Sequence, residues 1–245
     1  ADIPNEFIRN ELDEFVERVD ERAELIGLYA PAAPHLLEIA AAIISGRHHD
    51  AERMTTEALA GGTGALEIMD DGLIAGMALV GIKFRENFIF VPEVLACARA
   101  MKSGMAHIEP ILSASGVEPL ARVIMGTVKG DLHDIGKNLC IMMLRGAGFE
   151  VIDLGVDTSA DEFIEAVEEH KASVLGMSAL LTTTMPNMGH TIEAFIDADL
   201  RDDVKIMVGG APVTPAFADE MGADAYGDNA VECVEVAKRL AGLAG

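Results

Sequence analysis

Along the first half of the chain, apolar residues return every three or four positions. Phe7/Leu12/Phe15/Val19, Leu36/Ile39/Ala40/Ile43, Met54/Ala58/Leu59 and Leu66/Met69/Leu73/Met77/Val80 each trace one face of a helix. Pro4, Pro31, Pro34 and Pro92 stand where helices should begin or stop, and Gly46 and Gly61-Gly62 read as helix ends. The pattern predicts an arm over residues 1–33, then helices near 34–45, 48–60, 65–84 and 92–113. Four helices with short connections can cover one another's apolar stripes, so a four-helix bundle is expected over 34–115.

Residues 113–120 (SASGVEPL) are small and turn-rich and read as a linker. Beyond it the period changes. Short apolar or β-branched runs at 122–127, 149–154, 173–178, 204–208 and 223–226 alternate with helical stretches near 135–147, 159–170, 186–198, 214–221 and 229–243. Parallel strands need crossovers, so this alternation predicts a five-stranded parallel sheet covered on both faces over 121–245. The expected fold class is α plus α/β: a helical bundle, then a doubly wound sheet of flavodoxin- or Rossmann-like type. Ligands of such sheets bind at the C-terminal ends of the strands.

Composition narrows the setting. A chain of 245 residues buries one large core or two modest ones. No apolar run approaches the roughly 18 residues of a membrane span, and the acidic start ADIPNEFIRNELDEF is unlike a secretory signal. Cys97, Cys140 and Cys233 lie far apart without metal-type spacing, which predicts buried free thiols and a cytoplasmic location. The formal charge of −23 argues against a nucleic-acid partner, because a phosphate backbone needs a basic face. A solvated acidic surface, a patch that steers a basic partner and salt adaptation all remain open.

The chemistry gathers behind the first strand, in KGDLHDIGKN. A histidine there leaves the sheet edge with a carboxylate two residues before it, the pairing that orients a metal-ligating imidazole. Gly136 opens the next helix without a side chain, so a bulky group could lie against the backbone. Alone, His133 between Asp131 and Asp134 is more often a solvent-facing cap. The third strand is followed by SALLTTT, with Ser178, Leu180, Thr182 and Thr184, and the fourth by Gly209-Gly210. The whole reads D-x-H-x-x-G, 41 residues (137–177), S-x-L, 28 residues (181–208), G-G. No phosphate-binding glycine motif of the dinucleotide or P-loop type is present.

This pattern resembles the signature of the corrinoid (cobalamin-binding) proteins of cobalamin-dependent methyltransferase systems, including the cobalamin module of methionine synthase, over about residues 34–240. The resemblance implies a cobalamin bound base-off/His-on, with His133 on the cobalt and Asp131 as its partner. It also implies that Asp134, Ile135, Gly136, Ser178, Leu180, Thr182, Gly209 and Gly210 line the cofactor site. The family's proton relay often ends in a serine where this chain has Thr184, whose hydroxyl can make the same bond while its methyl group restricts the rotamer. KFRENFIFVPEVLACARAM resembles the family's cap over the methyl face, with Phe84 and Val91 as shielding residues and the bundle as a capping domain. By themselves Phe84 and Val91 are ordinary helix packing.

Three other features are set aside. The 13 methionines fit core gap-filling, and His48-His49 with Asp50 fits a capped, solvated turn. His133-Asp134 as a phosphohydrolase site lacks further ligands. The arm 1–33 is a charged amphipathic helix that either packs on the bundle or serves a partner. The chain has no room for a substrate-activating barrel, so the resemblance implies a methyl shuttle that is not catalytic alone. One methyltransferase, a barrel protein, loads Co(I), giving methylcobalamin, and a second passes the methyl to tetrahydrofolate, coenzyme M or homocysteine, with a reductive activase as a further partner. The alternatives are the cobalamin subunit of a split methionine synthase, and a non-catalytic sensor or storage protein. No membrane partner is expected.

Overall fold

Helices fill the first half of the chain, and strands alternate with helices in the second, in a computed structural model that describes residues 3, 5–13, 29, 32–115 and 119–243. The chain divides into two units, 1–117 and 118–245. The division falls within the linker expected from composition.

In the first unit, α1 (Glu6–Asp13) precedes α2 (Pro34–Ile44) and α3 (His48–Ala60). A short α4 (Ala65–Glu67) runs through a π-helical turn (Ile68–Ile74) into α5 (Ala75–Arg85), and α6 spans Val91–Ser115. Pro34 sits in the first turn of α2, where its missing N–H costs nothing. The expected single helix over 65–84 therefore contains a wider turn. Its i→i+5 bonding lets residues four and five apart share one face, and it buries Ile68, Gly72 and Leu73 together. α6 continues past Pro110 to Ser115, beyond its expected end.

The described part of the arm packs on this bundle. Ile8 and Leu12 are buried, Asn5 Nδ2 donates to Glu38 Oε1 at 2.9 Å, and Lys83 pairs with Glu11. The Tyr29 hydroxyl donates to the Ala75 carbonyl. Residues 14–28, with Phe15 and Val19, and also Pro4, Pro31 and linker residues 116–118, lie outside the described residues. His48 starts α3 without a side-chain cap. Asp50 pairs instead with Arg47 at 2.8 Å, so the expected capped turn is a helix start held by an ion pair.

The second unit runs β1 (Arg122–Thr127), α7 (Ile135–Gly146), β2 (Glu150–Asp153), α8 (Ala160–His170), β3 (Val174–Ser178), α9 (Pro186–Asp197), β4 (Lys205–Gly209), α10 (Pro215–Met221), β5 (Ala225–Gly227) and α11 (Ala230–Leu240). All pairings are parallel, in the order β2-β1-β3-β4-β5. Helix starts are written locally. Ser159 and Glu162 form a capping box at α8, Thr214 caps α10 and Asn229 caps α11.

Alternation assigns the two sheet faces. Ile124, Val128, Leu175, Met177, Ile206 and Val208 pack with Phe163, Met188, Ile192, Phe195 and Ala218 from α8, α9 and α10. Met125, Thr127, Gly176, Ser178, Met207 and Gly209 therefore face the other side, under α7 and α11. Because β2 and β3 flank β1, the chain reverses its winding there, and the loops after β1 and β3 meet at the switch point.

Candidate functional site

The loop that leaves β1 is tied down on every side. Val128 N–H donates to the Ser178 carbonyl at 3.0 Å, and Gly130 N–H to Asp157 Oδ1 at 2.8 Å. Asp157 N–H returns to the Asp131 carbonyl at 3.0 Å, and Asn187 Nδ2 donates to the Lys129 carbonyl at 2.7 Å. Beneath the loop, the buried Thr127 hydroxyl donates to the His133 carbonyl at 2.9 Å.

Asp131 is fully buried and accepts five hydrogen bonds. Its Oδ2 takes the Thr184 hydroxyl at 2.6 Å and the amides of Leu180 and Leu181 at 2.8 and 3.2 Å. Its Oδ1 takes the His133 amide at 3.1 Å and lies 2.7 Å from His133 Nδ1. Burial pushes the carboxyl up, but the Thr184 hydroxyl, the Leu180 amide and the His133 ring and amide outweigh it. Asp131 is held well below the usual carboxylate range, as a fixed anion. A carboxylate against Nδ1 puts the imidazole hydrogen there and turns the basic Nε2 outward, on a side chain half exposed at 50 %.

The loop residues next to His133 in the chain include two exposed apolar side chains. Leu132 is 71 % and Ile135 76 % exposed, and a Cβ added at Gly136 would meet no atom within 4 Å. Among the described residues no group of three or more His, Cys, Asp or Glu could hold a metal ion. A metal here would take one imidazole and bring its other ligands with it. One donor nitrogen, flanked by exposed leucine and isoleucine, fits a flat macrocycle that carries a metal at its centre. The residues present fit a corrinoid.

The structure brings Asp131, His133, Asp134, Ile135, Gly136, Ser178, Leu180, Thr182, Thr184, Gly209 and Gly210 to one sheet edge. Asp134 turns aside and accepts from Asn138 Nδ2 at 3.0 Å. Ser178 ends β3 beside Gly209, and the Leu180 and Thr182 side chains are exposed. Gly210 has φ +130, and a Cβ there would stand 1.9 Å from the Ala179 carbonyl oxygen. The backbone packing of the β3 and β4 loops thus requires that glycine, whatever it binds. Phe84, at the end of α5, and Val91, at the start of α6, belong to the other unit, and both are half-buried.

Sequence reasoning missed Thr127, Asp157, Asn187, Leu132 and the Leu181 amide. An apolar Leu132 inside a charged loop was a readable signal. A backbone amide carries none, and the braces from Asp157 and Asn187 exist only once three loops converge.

Comparison with known proteins bears on this edge. The B12-binding-domain family matches residues 121–235, and a second B12-binding-domain family matches 36–109. A trimethylamine corrinoid protein of Methanosarcina barkeri is 46 % identical over 190 residues, 77 % of this chain and 88 % of that protein. A dimethylamine corrinoid protein of the same organism is 44 % identical, covering 84 % of this chain and 96 % of that one. Among solved structures, a chain of the methanol:cobalamin methyltransferase complex of Methanosarcina barkeri superposes with a TM-score of 0.78 at 28 % identity. That match covers 99 % of this chain and 94 % of its own.

Proposed function

The chain belongs to the corrinoid proteins built from B12-binding domains, and on that premise we propose that it carries a methyl group on bound cobalamin between two methyltransferases, with His133 as the lower axial ligand of the cobalt. The observation that carries the ligand assignment is the buried, five-fold hydrogen-bonded Asp131 held against His133 Nδ1. A fixed carboxylate makes the imidazole a stronger donor at Nε2 and keeps its ring in one orientation. When bound, the corrinoid supplies a cobalt that takes up and gives away a methyl group. Thr184, Leu180 and Leu181 hold the charge of Asp131 in place, and Thr127 holds the loop. Leu132 and Ile135 would give the macrocycle an apolar seat, and Gly136, Ser178 and Gly209 would leave room for its nucleotide tail if it binds base-off. Phe84 and Val91 are proposed, from the family resemblance alone, as the residues that would shield the methyl group.

The names of the relatives favour a methylamine:corrinoid methyltransferase as the partner that loads the methyl group. A second methyltransferase removes it, to tetrahydrofolate, coenzyme M or homocysteine, and a reductive activase restores the cofactor when it is oxidised. The protein alone presents the methyl group and transfers nothing.

The test is the absorption spectrum of the protein loaded with cobalamin. We expect a base-off spectrum with a nitrogen ligand, and its loss in His133→Ala with imidazole restoring it. An unchanged spectrum in His133→Ala would remove the ligand assignment.

A further inference from the structure

Below the Asp131–His133 pair, the sheet face under α7 and α11 has a composition that ligation does not explain. Its last in-register row across four strands is Thr127–Ser178–Gly209–Gly227, with no side chain larger than threonine. α7 covers β1 and β2 while α11 covers β4 and β5, so the middle of this row faces the seam between the two helices. Gly136 stands at the start of α7 with open space over it. One turn further, Cys140 of α7 stands near Cys233 of α11 across the seam.

Two residues down each strand, about 6.6 Å, lies the row Met125–Gly176–Met207–Ala225. Both methionines are buried. They fold over the central glycine from either side: a Cβ at Gly176 would lie 2.2 Å from Met125 Sδ and 3.1 Å from Met207 Cε. A group sliding between the small residues of the upper row meets thioethers first. Thioethers are unbranched, bend cheaply and favour the edges of aromatic rings.

We infer that Met125 and Met207, folded over Gly176, form an adjustable floor that selects the corrinoid by the size of its lower base. The ligand class is a corrinoid whose nucleotide tail ends in an aromatic base. The inference rests on the base-off insertion proposed above and adds what that insertion reads. The leading edge of the base touches the floor, so the floor height decides whether ring methyl groups fit. One methyl group in an apolar pocket is worth about tenfold or more in discrimination.

Equilibrium titration with three corrinoids tests this: cobinamide, which has no nucleotide tail, and the forms with benzimidazole and with 5,6-dimethylbenzimidazole. Gly176→Ala forces the Met125 thioether upward and should move the affinity ratio roughly tenfold toward benzimidazole. Met125→Ala lowers the floor and should move the ratio the other way, and the double variant should return it toward the parent value. Cobinamide affinity should stay unchanged throughout. Should Gly176→Ala fail to fold, Met125→Ala and Met207→Ala carry the test in the deepening direction. A ratio unmoved in folded variants, or cobinamide affinity changing in step, overturns the inference. A base-on spectrum in the parent protein overturns the insertion reading and the inference with it. A base-off spectrum with unmoved ratios overturns the inference alone.

Discussion

Asp131 shows how one residue type in one place does two things. Its carboxylate is buried, yet five donors keep it ionised, and one of those donors is the imidazole it orients. The Asp131–His133 spacing was legible in the chain because the two residues are neighbours. Of the remaining donors, Thr184 was reached only through the family resemblance, and the Leu180 and Leu181 amides carried no signal, since all three lie some fifty residues away and two of them act through backbone N–H. The departure from serine at Thr184 turns out to keep the bond, at 2.6 Å, with the hydroxyl also 2.9 Å from the Leu181 carbonyl. Thr184→Val keeps the shape and removes the donor, so the corrinoid-free protein should lose about 2 kcal/mol in urea unfolding. Thr184→Ser should lose under half of that. Equal losses in the two variants would mean that the methyl group matters more than the hydroxyl.

At the scale of elements, periodicity located every strand and helix of the second unit to within one to three residues. It did so because a parallel sheet buries both faces and prints uninterrupted apolar runs between amphipathic helices. It did not show the π-helical turn at Ile68–Ile74, because a helix with one extra residue per turn leaves almost the same apolar spacing. Nor did it separate two kinds of glycine at the site. Gly210 is required by the fold, whereas Gly136 sits in α7 with nothing near its missing Cβ. Gly136→Ala should therefore stabilise the corrinoid-free protein by about 0.5–1 kcal/mol through helix propensity, while weakening cobalamin binding. Thermal unfolding and a cobalamin titration of the same variant check both halves. A variant that gains stability and binds as tightly as the parent would show that nothing passes over Gly136.

Across the whole molecule, two buried groups in the first unit make it sensitive to alkali. Burial pushes the Cys97 thiol from 9.0 up to about 11, with Lys83 opposing and Glu93 reinforcing the shift. Burial raises the Tyr29 hydroxyl in the same direction. The unfolded chain loses these protons at lower pH than the folded one, so their contribution is complete below about pH 9 and declines as pH rises toward 11. For Cys97 the loss reaches at most roughly 3 kcal/mol. With no Trp in the chain, far-ultraviolet circular dichroism during unfolding at pH 8 to 11 is the suitable measurement. A midpoint constant over that range would contradict the burial argument. The cysteines also mark the limit of sequence reading. Cys140 and Cys233 lie 93 positions apart (233 − 140), yet α7 and α11 pack together and carry them to neighbouring places. What the sequence determined by itself is everything governed by near neighbours: the two-part division, the element order, the sheet class and the Asp131–His133 pairing. Tertiary structure alone decided which distant groups share a carboxylate, which glycines serve the backbone, and that two methionines close over Gly176. Those facts depend on strand order and register, which bring together residues some thirty to fifty positions apart. No local pattern encodes that distance.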